Sequence, residues 1–247
     1  MIRDIEEMSL NAFPALQNMV YDGWVLRFAD GYARRANSIN PLYFSNENIN
    51  QKIKKCEKIY SSRNLDVIYK ITPNVYPSNL DSVLEGLQYR IDATTSLQVL
   101  EIDDISESTN ENIICSSDIN EEWLNYFCSI DNISDKNKAI LQSMLENIIP
   151  QKYFILLQVE GKSIGCGLGV LDKEFIGIYD IVVDKDYRNK GYGRELVLNL
   201  LKLGDEAGAK KAYLQVMLNN PPALKLYSNI GFKEAYKYWY RVKEKQV

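Results

Sequence analysis

The sequence predicts an α+β protein in two domains, residues 1–102 and 103–247, each a mixed sheet flanked by helices. Three observations predict it. Apolar runs of strand length alternate with amphipathic helical stretches through both halves. The order helix-strand-helix-strand closes the first half and closes the second again. Between them, "EIDDISESTNENI" (Glu101 to Ile113) is polar and acid-rich with little apolar periodicity, which marks a boundary.

In the first half, "WVLRFADGYARRANSI" has the shape of a hairpin with Asp30-Gly31 at its turn. A helix ("NINQKIKKCEKIYSS"), a strand ("DVIYKIT"), a helix ("NLDSVLEGL") and a strand ("QYRIDATTSLQVLEI") come next. The second half opens with two short helices, "DINEEWLNYFCSI" and "SDKNKAILQSMLENI", the second capped by Ser134. "YFILLQVEGKSIGCGLGVL" is a hairpin turning at Glu160-Gly161-Lys162, and "FIGIYDIVV" is a buried strand. A helix from about Gly193 to Glu206, a strand ("AYLQVML"), a helix ("PPALKLYSNI") and a closing strand ("FKEAYKYWYRV") complete it. Laying "VLEGLQY" on "LYSNIGF" sets Leu84 opposite Tyr227 and Tyr89 opposite Phe232, so the first half reads as a degenerate copy of the second.

Composition narrows the function. A net charge of −4 argues against general nucleic-acid binding. The start, "MIRDIEEMSL", carries acids where a secretory signal needs bases, and no apolar run reaches the ~18 residues of a membrane span. The absence of histidine removes Ser-His-Asp and Cys-His catalysis and most transition-metal sites. Cys56, Cys115, Cys128 and Cys166 are widely spaced, with no CxxC pair, so no metal site is expected and a cytoplasmic protein with reduced thiols is. Gly165, Gly167 and Gly169 share one strand face and predict close packing of a helix; Cys128 and Cys166 read as buried fillers.

The chemistry concentrates in "RNKGYGRE", Arg188 to Glu195, between a strand and a helix. The first turn of a helix leaves N–H groups unpaired and carries about half a positive charge. Gly191 and Gly193 let the backbone turn tightly against a ligand, and Arg188, Lys190 and Arg194 surround it with charge. Such a nest suits a pyrophosphate, yet neither the GxGxxG nor the GxxxxGK[ST] pattern is present.

Arg188-x-x-Gly191-x-Gly193, followed by Asn220-x-x-Ala223-x-x-Leu226-Tyr227-x-x-x-Gly231-Phe232, resembles the two hallmark blocks of the GCN5-related N-acetyltransferases. The likeness covers about Asn112 to Val247, and "GWVLR" with "RRANS" resembles the N-terminal halves of two-domain members. It implies acetyl-CoA as donor and an amine, on a small molecule or a peptide, as acceptor. It further implies that the backbone of Ile181, Val182 and Val183 pairs with the pantetheine arm, with an amide near Val182 or Val183 polarising the thioester carbonyl. The loop of Arg188, Asn189, Lys190, Gly191, Tyr192, Gly193 and Arg194 would hold the pyrophosphate, Asn220 would bond the cofactor, and Tyr227 would protonate the departing thiolate. Asn220 followed by Pro221 is also a common way to start a helix. The family's strand glutamate falls on Tyr179 here, leaving Asp180 and Glu174 as candidate bases. Arg34, Arg35, Asn37 and Ser38 crowd a predicted strand, as an internal hydrogen-bond network or as an acceptor-recognition face. A non-catalytic acyl-CoA-binding sensor is the alternative reading of the same loop.

Overall fold

A computed structural model describes residues 1–102 and 112–245. The middle of the polar link, 103–111, lies outside the described residues. Contacts divide the chain into two units, Met1–Ser96 with Tyr236–Val247, and Leu97–Ala235. The cut expected at 102/103 leaves the closing strand with the second half; the contacts return most of it to the first, because it pairs there.

In the first unit, α1 (Ile2–Ala12) precedes β1 (Gln17–Tyr21), β2 (Trp24–Phe28), β3 (Ile39–Pro41), α2 (Ile49–Ser61), β4 (Val67–Ile71), α3 (Leu80–Gly86) and the start of β5 (Arg90–Glu101). Its strands lie in the order β1-β2-β3-β4, followed by the chain's last strand. The tight hairpin is not the one expected. Asp22 and Gly23, at φ 43° and 80°, turn β1 into β2, whereas Asp30-Gly31 opens a long loop, residues 29–38, before β3. Asn37 holds that loop: its Oδ1 accepts from the amides of Ala29 (2.8 Å) and Gly31 (3.0 Å), and its Nδ2 donates to the carbonyl of Ala33 (2.9 Å). Arg34 pairs with Asp92 at 2.6 Å, and the Arg35 carbonyl accepts from Arg27. The crowded polar stretch is therefore an internal network of this unit.

One face of this sheet buries Trp24, Leu26, Ile39, Tyr69 and Ile71 against Ile53, Cys56 and Tyr60 of α2. Alternation puts Arg27, Ser38, Asn40 and Lys70 on the other face, all buried. Helix α1 belongs to that polar layer through Glu6, whose carboxylate accepts from Lys70 at 2.5 Å and from the Tyr236 hydroxyl at 2.7 Å. Arg27 donates to the carbonyls of Phe13 and Arg35.

The second unit continues from the end of β5 through β6 (Ile113–Ser116), α4 (Glu121–Ile130), α5 (Asp135–Glu146), β7 (Gln151–Val159), β8 (Lys162–Asp172), β9 (Phe175–Val183), α6 (Tyr192–Glu206), β10 (Lys211–Met217) and α7 (Pro221–Ile230), and enters β11 (Lys233–Lys243). Its strand order is β5-β10-β9-β8-β7-β6. Strands β6 to β9 pair antiparallel; β9 and β10 pair parallel, joined by α6. Ser134 caps α5 as expected, accepting from the Asn137 amide at 3.4 Å.

Helix α6 lies over β8 and β9. Where Cβ atoms on Gly165, Gly167 and Gly169 would stand, Leu196 and Leu200 approach to 3.0–3.3 Å, so the three glycines give the helix its seat. Both units contain the run parallel strand, helix, parallel strand, helix: β3, α2, β4 and α3 in the first, and β9, α6, β10 and α7 in the second. The ends of α3 and α7 match in detail: the Tyr89 amide donates to Leu84 O and the Phe232 amide to Tyr227 O, each at 3.0 Å. Gln88 and Gly231 take the same left-handed position just before.

Candidate active site

The site is built where β9 ends and α6 begins. The pairing of β9 with β10 runs from Phe175↔Lys211 to Ile178↔Leu214 and stops, although β9 continues to Val183 and β10 to Met217. From Tyr179 onward β9 keeps its β8 partner and presents its other edge unpaired with β10. That segment contains Ile181, Val182 and Val183.

The same segment carries a β-bulge. Tyr179 stands opposite Leu168 and Val182 opposite Cys166, so Asp180 and Ile181 together face Gly167. Asp180 adopts φ 51°, a left-handed position that glycine fills most easily. The extra residue reverses the alternation. Ile181 and Val183 turn toward the α6 face, and the Ile181 Cδ1 comes within 2.6 Å of where a Gly167 Cβ would be. The indole N–H of the fully buried Trp123 on α4 donates to the Gly167 carbonyl at 3.1 Å, which ties α4 to the sheet opposite the bulge. Neither the bulge nor the Trp123 anchor is among the features read from the sequence.

Asp180→Gly tests how the bulge is held. Relief of the left-handed position is expected to leave stability unchanged or raised by about 1 kcal/mol. A loss of more than that in urea unfolding would show that contacts of the carboxylate, rather than the backbone, maintain the bulge. Glu174, the other candidate base, sits in the β8–β9 turn, six residues or about 20 Å of strand from Asp180. It is removed from the site, because a strand holds its two ends apart.

After Val183 the chain makes a short turn, Lys185–Tyr187, and reaches the glycine-containing loop. Gly191, at φ 90°, is the N-cap residue of α6, and a Cβ there would meet nothing within 4 Å. The amides of Asn189, Lys190, Gly191, Tyr192 and Gly193 make no hydrogen bond among the described residues, whereas those of Arg194 and Glu195 donate to Gly191 O at 2.9 and 3.1 Å. Five consecutive donors are thus left at the positive end of a helix. Two of the loop's cations also bind the loop itself. The Arg188 Nε–H donates to Val183 O and the Lys190 ammonium to Asp186 O, each at 3.1 Å. Both side chains therefore shape the cradle as well as charging it. A Cβ on Gly193 would lie 3.3 Å from Leu226 Cδ2, so this glycine lets α7 close on the first turn of α6.

Tyr227, next to Leu226, is buried against Phe232 at 6.0 Å between ring centroids. Burial pushes its phenol up to about 12. Burial is the one cause of that shift, with no hydrogen bond or charge acting on the phenol beside it. Asn220 caps α7, its Oδ1 accepting from the Ala223 amide at 3.3 Å. This realises the structural alternative for Asn220 and leaves its Nδ2 as a donor. Tyr179, at the place of the family glutamate, bonds Tyr213 through their hydroxyls at 2.6 Å. Burial raises the Cys166 thiol well above its ordinary value, with the Asp180 carboxylate adding to the shift. Among the described residues no group of His, Cys, Asp and Glu could hold a metal ion, and no helix is long and apolar enough to cross a membrane.

Residues 1–241 match the sequence model of the family described as "Probable histone acetyltransferase Rv0428c C-terminal". The chain belongs to this family, within the GCN5-related N-acetyltransferases. It is 28% identical over 247 residues, 98% of both chains, to the uncharacterized N-acetyltransferase YobR of Bacillus subtilis. A stretch of 58 residues is 36% identical to the [ribosomal protein bS18]-alanine N-acetyltransferase of Escherichia coli, covering 24% of this chain and 39% of that one. Another of 97 residues is 35% identical to the N-alpha-acetyltransferase MAK3 of Arabidopsis thaliana, covering 36% and 50%. In fold it is similar to a GCN5-related N-acetyltransferase from Kribbella flavida, with a TM-score of 0.74 at 12% identity over 99% of this chain and 96% of that one. A tandem protein of the same family from the clavulanic acid pathway aligns with a TM-score of 0.59 at 10% identity, over 83% and 75%. As a GCN5-related N-acetyltransferase the chain is an acyltransferase with an α+β fold.

Proposed function

We propose that the chain is a cytoplasmic enzyme that transfers the acetyl group of acetyl-CoA directly to an amine, with Tyr227 as general acid and Asp180 as general base. The observation that carries this reading is the row of five amides, Asn189 to Gly193, that make no hydrogen bond among the described residues, beside the edge of β9 that no longer pairs with β10. Those amides would hold the pyrophosphate, helped by Arg188, Lys190 and Arg194. The backbone of Ile181 to Val183 would pair with the pantetheine arm as an added strand, and the Asn220 Nδ2 would bond the cofactor. Acetyl-CoA supplies an activated acyl carbon and a thiol leaving group.

In the transfer a nitrogen–carbon bond forms as the carbon–sulfur bond breaks; the amine proton passes to Asp180 and the Tyr227 proton to sulfur. An amide of Val182 or Val183 would stabilise the carbonyl oxygen as charge develops on it. The burial that raises the Tyr227 phenol keeps it protonated at neutral pH, and the same dry surroundings make the departing thiolate more basic. Removing a proton from an alkylamine of pKa about 10.4 costs roughly 4.6 kcal/mol at pH 7, and from an α-amine only about 1. This difference, with the α-amine activities named for the two partial relatives, puts peptide N-termini first in an acceptor screen.

The first unit fits a second copy that has lost its cofactor site. No Arg-x-x-Gly-x-Gly precedes α2, and Leu84 stands where the second unit has Tyr227.

Calorimetric titration of acetyl-CoA, followed by thiol release with an amine panel, tests the reading. Binding in a one-to-one ratio with thiol release is expected. Binding without release for every amine would leave the sensor reading in its place. Tyr227→Phe is expected to lower kcat by about 100-fold, within the range for a general acid, with little change in acetyl-CoA affinity. An unchanged kcat would remove Tyr227 from the chemistry.

A further inference from the structure

We infer that Tyr179 and Tyr213 form a positioning clasp that fixes where β9 and β10 part, and so sets the width of the slot for the acyl group. The inference rests on the acetyltransferase reading above. Three features converge on one point of the sheet.

The two hydroxyl oxygens lie 2.6 Å apart, with the rings edge to face at 6.0 Å and 88°. Both residues are buried, at 4% and 1% exposure, so water does not compete for the bond. Beneath them the backbone is bare. A Cβ on Gly177 would stand 2.6 Å from Tyr179 Cε2 and 2.7 Å from both Cζ and the hydroxyl oxygen of Tyr213. Only a residue without a side chain admits both rings there.

The register places the clasp at the fork. Tyr213 stands opposite Gly177, backbone pairing ends one step later at Leu214↔Ile178, and Tyr179 is the first β9 residue beyond it. On its other edge Tyr179 still pairs with Leu168, and the bulge begins with the next residue. Strand β9 is thus held on both sides at Tyr179, by the ladder to β8 and by a side-chain bond to β10. From Asp180 onward its backbone ladder runs to β8 and no longer to β10. The hydroxyl pair bridges the gap just where main-chain hydrogen bonds cease to, and without it the fork could widen backward along the strands.

A fork that widens moves Ile181 to Val183 relative to β10, and with them the backbone that would orient the thioester. The two hydroxyls are buried and bonded to each other, so the pair is assigned a role through the strands that it joins.

Tyr179→Phe, Tyr213→Phe and the double variant test the clasp, since each keeps its ring in the hollow over Gly177. Each single change is expected to lower kcat/KM for acetyl-CoA by about tenfold, the equivalent of one buried hydrogen bond. The double variant is expected to be no worse than either single, because both remove the same bond. A merely structural pair would lower the urea midpoint and leave kcat/KM within about twofold of the unaltered enzyme; that result, or single effects that multiply in the double variant, overturns the clasp. An unaltered protein that neither binds acetyl-CoA nor transfers would sink the acetyltransferase reading and the clasp with it. An active protein with equally active variants would sink the clasp alone.

Discussion

Gly193→Glu is expected to weaken acetyl-CoA binding by about 100- to 1,000-fold while the protein still folds. The steric cost is small, because the new Cβ would meet only the terminal methyl of Leu226 at 3.3 Å, and that side chain can yield. The electrostatic cost is large. A carboxylate placed about 4 Å from a phosphate near a protein surface is repelled by roughly 4 kcal/mol, nearly a thousandfold in affinity. It would also compete for the five amides that make no hydrogen bond among the described residues. If the loop holds the pyrophosphate as proposed, and not the 3′-phosphate, acetyl-CoA and dephospho-acetyl-CoA should lose affinity equally. Calorimetry showing Gly193→Glu within about threefold of the unaltered protein would move the phosphate site elsewhere. Gly193→Ala separates the two effects: it adds the same Cβ without the charge.

The loop that this variant tests was legible because its signals are local. Glycines at fixed spacing, cations around them and a leucine-rich run directly after are all contained in "RNKGYGRELVLNLLKL". The caps Ser134 and Asn220 were legible for the same reason. The geometry opposite the loop is decided at longer range. "FIGIYDIVV" reads as an unbroken strand, and nothing within it says that Asp180 is an extra residue; that depends on which part of β8 lies beside it, and register is set by the whole sheet. Trp123 reads as one more apolar residue of an amphipathic helix until β8 is placed beneath it. The Tyr179–Tyr213 bond joins residues 34 apart in a chain with 17 tyrosines.

The first unit shows the same division. Asp-Gly occurs twice within ten residues, and both copies take the left-handed turn conformation, yet only Asp22-Gly23 closes a hairpin. The difference lies in the partners that each turn finds farther along the chain. Asp22 is fixed by the hydroxyl of Ser45, the amides of Asn46 and Glu47, and Lys52 from α2, which together hold its carboxyl well below the usual range. Asp30-Gly31 leads into a loop whose backbone is satisfied by Asn37 instead. Helix α1 is hard to see in the sequence because its buried positions, Ile5, Met8 and Ala12, are interleaved with acids, one of which is itself buried.

That buried acid gives the largest expected effect on stability. Glu6 is 1% exposed and Lys70 4%, and their ion pair is completed by the Tyr236 hydroxyl on the second carboxylate oxygen. The Lys70 ammonium also lies 4.1 Å from the centre of the Tyr238 ring. Glu6→Leu would leave that ammonium buried without its counterion, which is expected to cost about 3–5 kcal/mol in urea unfolding. The loss reports the stranded charge more than the worth of the pair, so removing the charge as well should recover most of it. Glu6→Leu with Lys70→Met is therefore expected to be more stable than Glu6→Leu alone, since an apolar pair of similar volume can replace a buried ion pair at little cost. A double variant no more stable than the single would mean that packing of α1, and not the uncompensated lysine, sets the penalty.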